Sequence, residues 1–154
     1  MKKIGILSLV FILLDFIIKI IVKTCMNLYS SIVVIPNFFS ITYVRNTGAA
    51  FSIMENSRVL FIIIGLLAIY LIWKYLIKEK ELNKLYIISY SMLFGGIIGN
   101  MIDRIIYGYV IDYLSFNIFG YNFPIFNLAD TFIVISIIVL LLYEGGSHAR
   151  NRSR

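Results

Sequence analysis

The chain has one cysteine and one histidine in 154 residues, and only 14% of its residues are charged. A lone Cys25 can form no internal disulfide. It stands at a helix end with no other Cys or His near it in sequence, which suits an interfacial residue better than a nucleophile. His148 lies in a polar tail. A Ser-His or Cys-His catalytic pair and a His-based metal site therefore fit the sequence poorly, and no cofactor is implied. Aspartate is also scarce, with Asp15, Asp103, Asp112 and Asp130 making the full set. Repeats and low-complexity tracts are missing.

Hydrophobic residues make up 60% of the chain, and the mean hydropathy is +0.92. The apolar residues come in runs too long for a soluble core. A spanning helix needs about 20 mostly apolar residues. Four stretches qualify, roughly 4–22, 59–77, 85–106 and 125–143. The last has the shortest apolar part and starts beside a charge. The sequence thus predicts a membrane α-helical protein with four transmembrane helices. One domain is expected over 1–144, with a flexible tail over 145–154. The first run follows Lys2 and Lys3 as a signal peptide would, but it contains Asp15 and Lys19, and no small-x-small site follows it. It reads as a retained helix.

The net charge of +6 is no nucleic-acid signal, because the cations fall in groups. Lys2 and Lys3 precede the first helix, and Lys74, Lys78, Lys80 and Lys84 lie around the turn between the second and third. Arg150, Arg152 and Arg154 follow the fourth, while 107–126 has no Lys or Arg. The positive-inside rule then puts both termini in the cytoplasm and segments 23–58 and 107–126 on the outer side of a bacterial cytoplasmic membrane. Within 23–58, the β-branched run Ser31 to Ile35 is broken by Pro36-Asn37. Phe39, Ile41 and Tyr43 then alternate with Ser40, Thr42 and Val44. That is strand periodicity, so a small extracytoplasmic β-rich segment is expected between helices one and two. Gly95 and Gly99 form a small-xxx-small pair on helix three that lets a neighbouring helix approach closely.

On this topology all four aspartates reach similar depth. Ionisable groups at membrane depth are costly and usually face the protein interior. Asp15 and Lys19 are one helical turn apart on one face, which suits an ion pair within the helix. Asp103 and Arg104 read the same way, with the Arg keeping the carboxylate ionised and fixed. Asn127 suits an N-cap, and Asn46, in a turn-like stretch, suits unusual backbone angles. Asp112, in the loop past helix three, and Asp130, at the start of helix four, have no basic neighbour in sequence. Two close carboxyls in apolar surroundings push their pKa values apart, so one can hold a proton while the other activates water. The alternative is that both are separate helix-end groups, and the residues alone leave that open.

The motifs resemble those of the bacterial lipoprotein signal peptidase family, also called signal peptidase II. Asp15 to Lys19 resembles its Asp-x-x-x-Lys pattern. Val44-Arg45-Asn46-Thr47-Gly48-Ala49-Ala50-Phe51 resembles its Asn-x-Gly-x-Ala/Ser-Phe segment. Gly99-Asn100-Met101-Ile102-Asp103-Arg104 resembles Gly-Asn-x-x-Asp-Arg. Val110-Ile111-Asp112-Tyr113 and Phe126-Asn127-Leu128-Ala129-Asp130 resemble its last two motifs, with Tyr113 where Phe is common. The resemblance implies a membrane aspartyl endopeptidase with Asp112 and Asp130 as the catalytic pair. Asn46, Asn100, Arg104, Asn127 and Ala129 would line the site or bind substrate, and Asp15, Lys19 and Asp103 would support it. It further implies a diacylglyceryl-modified prolipoprotein substrate cut just before the lipidated cysteine, inhibition by globomycin, contact with membrane lipids and a monomer. Two other classes compete. A proton-coupled transporter could use the buried charges as a relay, though no inverted repeat is visible. A non-catalytic adaptor would use the polar groups only to hold helices together.

Overall fold

A computed structural model describes residues 2–48, 57–77 and 82–152. Ala49, Ala50 and Phe51 of the Asn46 motif, and Lys78 and Lys80 of the basic turn, lie outside the described residues. Four helices are long and apolar enough to cross a membrane. They are α1 (Lys2–Cys25), α2 (Arg58–Leu71) continued by a π-helical turn (Ile72–Ile77), α3 (Lys84–Tyr107) and α4 (Leu128–Arg152). At 1.5 Å per residue a 24-residue helix such as α1 or α3 is about 36 Å long, enough for a hydrocarbon core of about 30 Å.

The bundle is inside-out relative to a soluble protein. On α1 the buried residues are Ile4, Ser8, Asp15, Lys19 and Val22, one stripe at helical spacing, while Leu9, Leu13, Ile17 and Ile21 are exposed. The polar residues therefore face in and the aliphatic ones face lipid. α3 is the central helix and is mostly buried, whereas α2 buries little besides Gly65 and Ile77. Asn83 caps α3, its side chain accepting from the Tyr86 N–H at 2.9 Å. Gly108 ends it at φ +83°, a left-handed position that favours glycine. In the π-helical turn the Leu76 carbonyl accepts from the Tyr90 hydroxyl at 3.3 Å.

Glycines set the helix spacing. A methyl on Gly95 would meet the Phe11 Cβ at 2.6 Å and the Ser8 carbonyl at 3.2 Å, and one on Gly99 would meet an Asp15 carboxylate oxygen at 2.7 Å. Both face α1, as the small-xxx-small spacing predicts. Gly96 faces the other way, against the Ala129 carbonyl and the Ile133 side chain of α4. α3 thus lies close to α1 on one side and α4 on the other.

Over one end of the bundle lies an antiparallel sheet in the order β1 (Ser31–Ile35), β2 (Phe39–Asn46), β3 (Val110–Ile118) and β4 (Tyr121–Asn122). The first hairpin falls where the alternation places it, with Asn37 at φ +57° in its turn. The other half of the sheet corrects the sequence reading, because Asp112 lies in a strand and not in a loop. Val110, Ile111, Tyr113 and Phe116 are strand formers bounded by Gly108 and Gly120, a signal of the same kind as that in β2. Two further expectations change. α4 begins at Leu128, because the preceding segment extends along β3 with Phe126 bridged to Leu114. The α4 backbone is helical to Arg152, so the helix is longer than the 125–143 stretch read from the apolar run; once a helix is nucleated, each added turn costs little.

Candidate active site

Strand alternation aims Asp112. Ile111 and Tyr113 point to one face of β3 and pack with Val22 and Tyr43. Val110 and Asp112 point to the other and line a cavity of about 760 Å³. Phe126 accepts hydrogen bonds from the Tyr113 and Leu114 N–H groups at 3.0 and 2.7 Å. The chain then runs antiparallel to β3 into Asn127, which brings the start of α4, and so Asp130, beside Asp112. Asn46, Gly48, Asn100 and Arg104 share the polar end of this cavity with the two carboxyls, and Phe61, Phe123 and Val134 belong to its apolar wall.

Three asparagine amides hold the two acids, and each is oriented by a donor on its own oxygen. Asn46 Oδ1 accepts from the Gly48 N–H at 2.9 Å, so Nδ2 faces Asp112 Oδ2 at 2.9 Å. Asn100 Oδ1 accepts from Lys19 Nζ at 2.9 Å, so Nδ2 faces Asp130 Oδ1 at 2.7 Å. Asn127 Oδ1 accepts from the Asp130 N–H at 2.9 Å, so Nδ2 faces Asp112 Oδ1 at 2.7 Å and Asn100 Oδ1 at 3.1 Å. Asp130 Oδ2 in turn accepts from the Asn127 N–H at 3.2 Å, which closes a capping box at the start of α4. Asn127 is therefore both the N-cap read from the sequence and a link between the two carboxyls. Burial, and then the nearby charge of Asp130, push the Asp112 carboxyl up to about 7, against the opposing effect of its amide donors.

The remaining charges form a buried frame around this pair. Lys19 Nζ lies 2.8 Å from Asp15 Oδ2 and 3.0 Å from Asp103 Oδ2. Asp15 also accepts from the Ala129 N–H at 3.0 Å, near the start of the helix that carries Asp130. Asp103 also accepts from the Ile111 N–H at 3.0 Å, next to Asp112. One lysine thus pairs with two carboxyl groups, each of which fixes the backbone beside a site acid. The expected Asp103–Arg104 pair does not form. Neighbouring helical residues point about 100° apart, and Arg104 instead donates to the Gly48 carbonyl at 3.0 Å and lies 4.8 Å over the Phe61 ring. Ala129 is fully buried against Gly96 and Gly99 and is not among the residues lining the cavity.

The sequence reading missed two contributors. Gly48, named only as motif, orients Asn46 and anchors Arg104. The Tyr113 hydroxyl accepts from the Leu128 N–H at 3.2 Å, so the phenol that replaces a common Phe caps another donor of α4. Burial pushes that hydroxyl up, so it stays neutral. A polar residue within an apolar strand was the available signal.

Four spanning helices with buried acids at one end, opening on an apolar cavity, define an integral membrane enzyme. Comparison with known proteins gives the particular family. A family model described as signal peptidase (SPase) II matches residues 7–144. The chain is 39% identical over 137 residues to the lipoprotein signal peptidase of Staphylococcus haemolyticus, covering 89% of this chain and 87% of that protein. It is 40% identical over 139 residues to that of Staphylococcus aureus, covering 90% and 85%. A solved bacterial membrane enzyme at 2.3 Å resolution superposes with a TM-score of 0.88 at 33% identity, covering 97% of this chain and 92% of that one. A second, at 1.9 Å, gives a TM-score of 0.82 at 35% identity, covering 93% and 92%. The chain belongs to the signal peptidase II family, and it is a multi-pass bacterial membrane peptidase.

Proposed function

We propose that this peptidase is an aspartyl endopeptidase that removes the signal peptide from diacylglyceryl-modified prolipoproteins, cutting just before the lipidated cysteine. The observation that carries this reading is the pairing of Asp112 and Asp130 at the polar end of one cavity, linked through Asn127. With Asp112 raised to about 7, the pair can carry a shared proton near neutral pH, a property of the pair rather than of either residue. The ionised carboxylate takes a proton from water as its oxygen attacks the scissile carbonyl. The protonated carboxyl hydrogen-bonds that carbonyl oxygen, and the tetrahedral intermediate forms. Transfer of a proton to the leaving nitrogen then breaks the C–N bond, giving a free amine and a carboxyl.

The apolar cavity wall suits a substrate whose signal helix and acyl chains are themselves apolar. The cation distribution supports a topology with both termini in the cytoplasm and the site near the outer face, where a lipid-anchored cleavage site would lie. Cysteine substitutions labelled by a membrane-impermeant thiol reagent test this orientation: Cys25→Ser/Tyr29→Cys should label from outside intact cells, and labelling only after lysis would reverse it. Purified enzyme should cleave a lipidated precursor in detergent and be blocked by globomycin. Equal cleavage of the precursor without its diacylglyceryl group would refute the proposed substrate class.

A further inference from the structure

We infer that the two hairpin tips of the sheet form an aromatic anchor that sits in the lipid headgroup layer at the sheet end of the bundle. The register puts both tips at the same end. Ile35 pairs with Phe39, Phe39 with Phe116, and Ile118 with Tyr121, so the 36–38 and 119–120 turns are neighbours. This end is the opposite one from Asn46 and Val110, which pair close to the catalytic groups.

Three observations point to lipid as the occupant. The first is charge. The chain has no Lys, Arg, Asp or Glu between Lys23 and Arg45, nor between Asp112 and Asp130, so both hairpin tips and the strand ends beside them are free of charge. Sheet edges that face water are usually guarded by charged side chains. The second is the turn itself. Phe119 sits at φ +53° and is fully exposed at 103%, with Gly120 at φ +84°. Such tight turns favour Asn-Gly or Gly-Gly, and a bulky residue with positive φ carries strain. A phenylalanine held there against water, beyond the packed sheet, has a use only if something apolar receives it. The third is continuity with the lipid-facing surface. The Tyr121 ring packs edge-on against Phe123 at 5.1 Å, and Phe123 lines the same cavity as Val134 and Ile135 of α4. Those two are exposed on a spanning helix, so the aromatic tip extends the hydrocarbon-facing face of α4. Aromatic residues collect at this level of a bilayer. The anchor would fix the height of the sheet, and with it Asp112, relative to the headgroups.

Trp73 is the only tryptophan, which gives a clean test. The full chain is prepared as Trp73→Phe/Phe119→Trp and reconstituted into phosphatidylcholine vesicles brominated either near the headgroup end or near the methyl end of the acyl chains. Wild type, whose Trp73 is exposed on a spanning helix, serves as the lipid-facing reference. The expected result is blue-shifted emission at position 119, strongly quenched by the shallow bromines, less by the deep ones, and protected from aqueous iodide. Emission typical of water, quenched by iodide and indifferent to bromine, would overturn the inference. Blue-shifted emission that ignores bromine and changes with the protein-to-lipid ratio would also overturn it, in favour of contact between two copies. Phe119→Ser in the same vesicles should leave thermal unfolding unchanged, because the ring is fully exposed among the described residues. A large loss of stability would assign it to the fold instead.

Discussion

Asn127 shows how much one residue does here. Its carbonyl oxygen caps α4 and its amide nitrogen holds Asp112. Asn127→Asp keeps the capping oxygen but places a third carboxylate beside Asp112 and Asp130. Activity should fall steeply while the helix start is retained, read as loss of cleavage with little change in helical circular dichroism. The frame around Lys19 gives a stability prediction. Lys19→Met leaves Asp15 and Asp103 buried without their cation, and breaking a buried pair from one side costs about 3–5 kcal/mol. Unfolding in detergent should show a large drop, and adding Asp15→Asn and Asp103→Asn should recover much of it. An unchanged melting temperature for Lys19→Met would contradict the frame. The sign for Asp112 is opposite to that of a salt-bridged acid. Its pKa is raised from 3.8 to about 7 on folding, so the folded state binds the extra proton. That stabilisation is fully present below about 4 and lost as the pH rises through about 7. Wild type should therefore lose stability relative to Asp112→Asn across that interval, by a few kcal/mol at most, with about 1.4 kcal/mol per unit as the scale. Parallel melting curves across the same range would count against it.

At the scale of elements, close approach of α3 to both neighbours holds the acids at one level. Gly96→Ala drives a methyl into the Ala129 carbonyl, and backbone cannot yield as a flexible side chain does. Overpacking of this kind costs about 1–3 kcal/mol. It should lower both stability and activity, because α4 carries Asp130. Gly5→Ala, with nothing within 4 Å of the added methyl, should be close to neutral in the same melting assay. The helices were legible in the sequence because a bilayer demands long apolar runs, and runs are a local signal. The first hairpin was legible because alternation and a Pro-Asn break are local too. β3 was overlooked although Val110 to Phe116 carries similar residues, because a strand is defined by its partner and β2 lies more than 60 residues away in sequence. The Asp103–Arg104 pairing failed for a related reason. Adjacency along a helix is not adjacency in space, and the true partner of Asp103 is Lys19 on another helix.

For the molecule as a whole, the buried charges among the described residues gather at one end of an apolar bundle. The candidate acids could be named from sequence because so few charges sit in hydrocarbon-like surroundings that each needs a reason. Their division into a site pair and supports was read from the missing basic neighbours of Asp112 and Asp130 and from the family resemblance, but the full set of partners of each acid could not be. The split between the Lys19 frame and the Asn-held pair depends on which atoms meet across four helices and a sheet. The central claim is that Asp112 and Asp130 act together on a bound peptide. Its most direct test is cleavage of a diacylglyceryl-modified prolipoprotein in detergent, followed by gel shift, with wild type, Asp112→Asn and Asp130→Asn side by side. The expected result is cleavage by wild type alone, with both variants monodisperse and folded. Substantial cleavage by either folded variant, or none by folded wild type on several precursors, would contradict it.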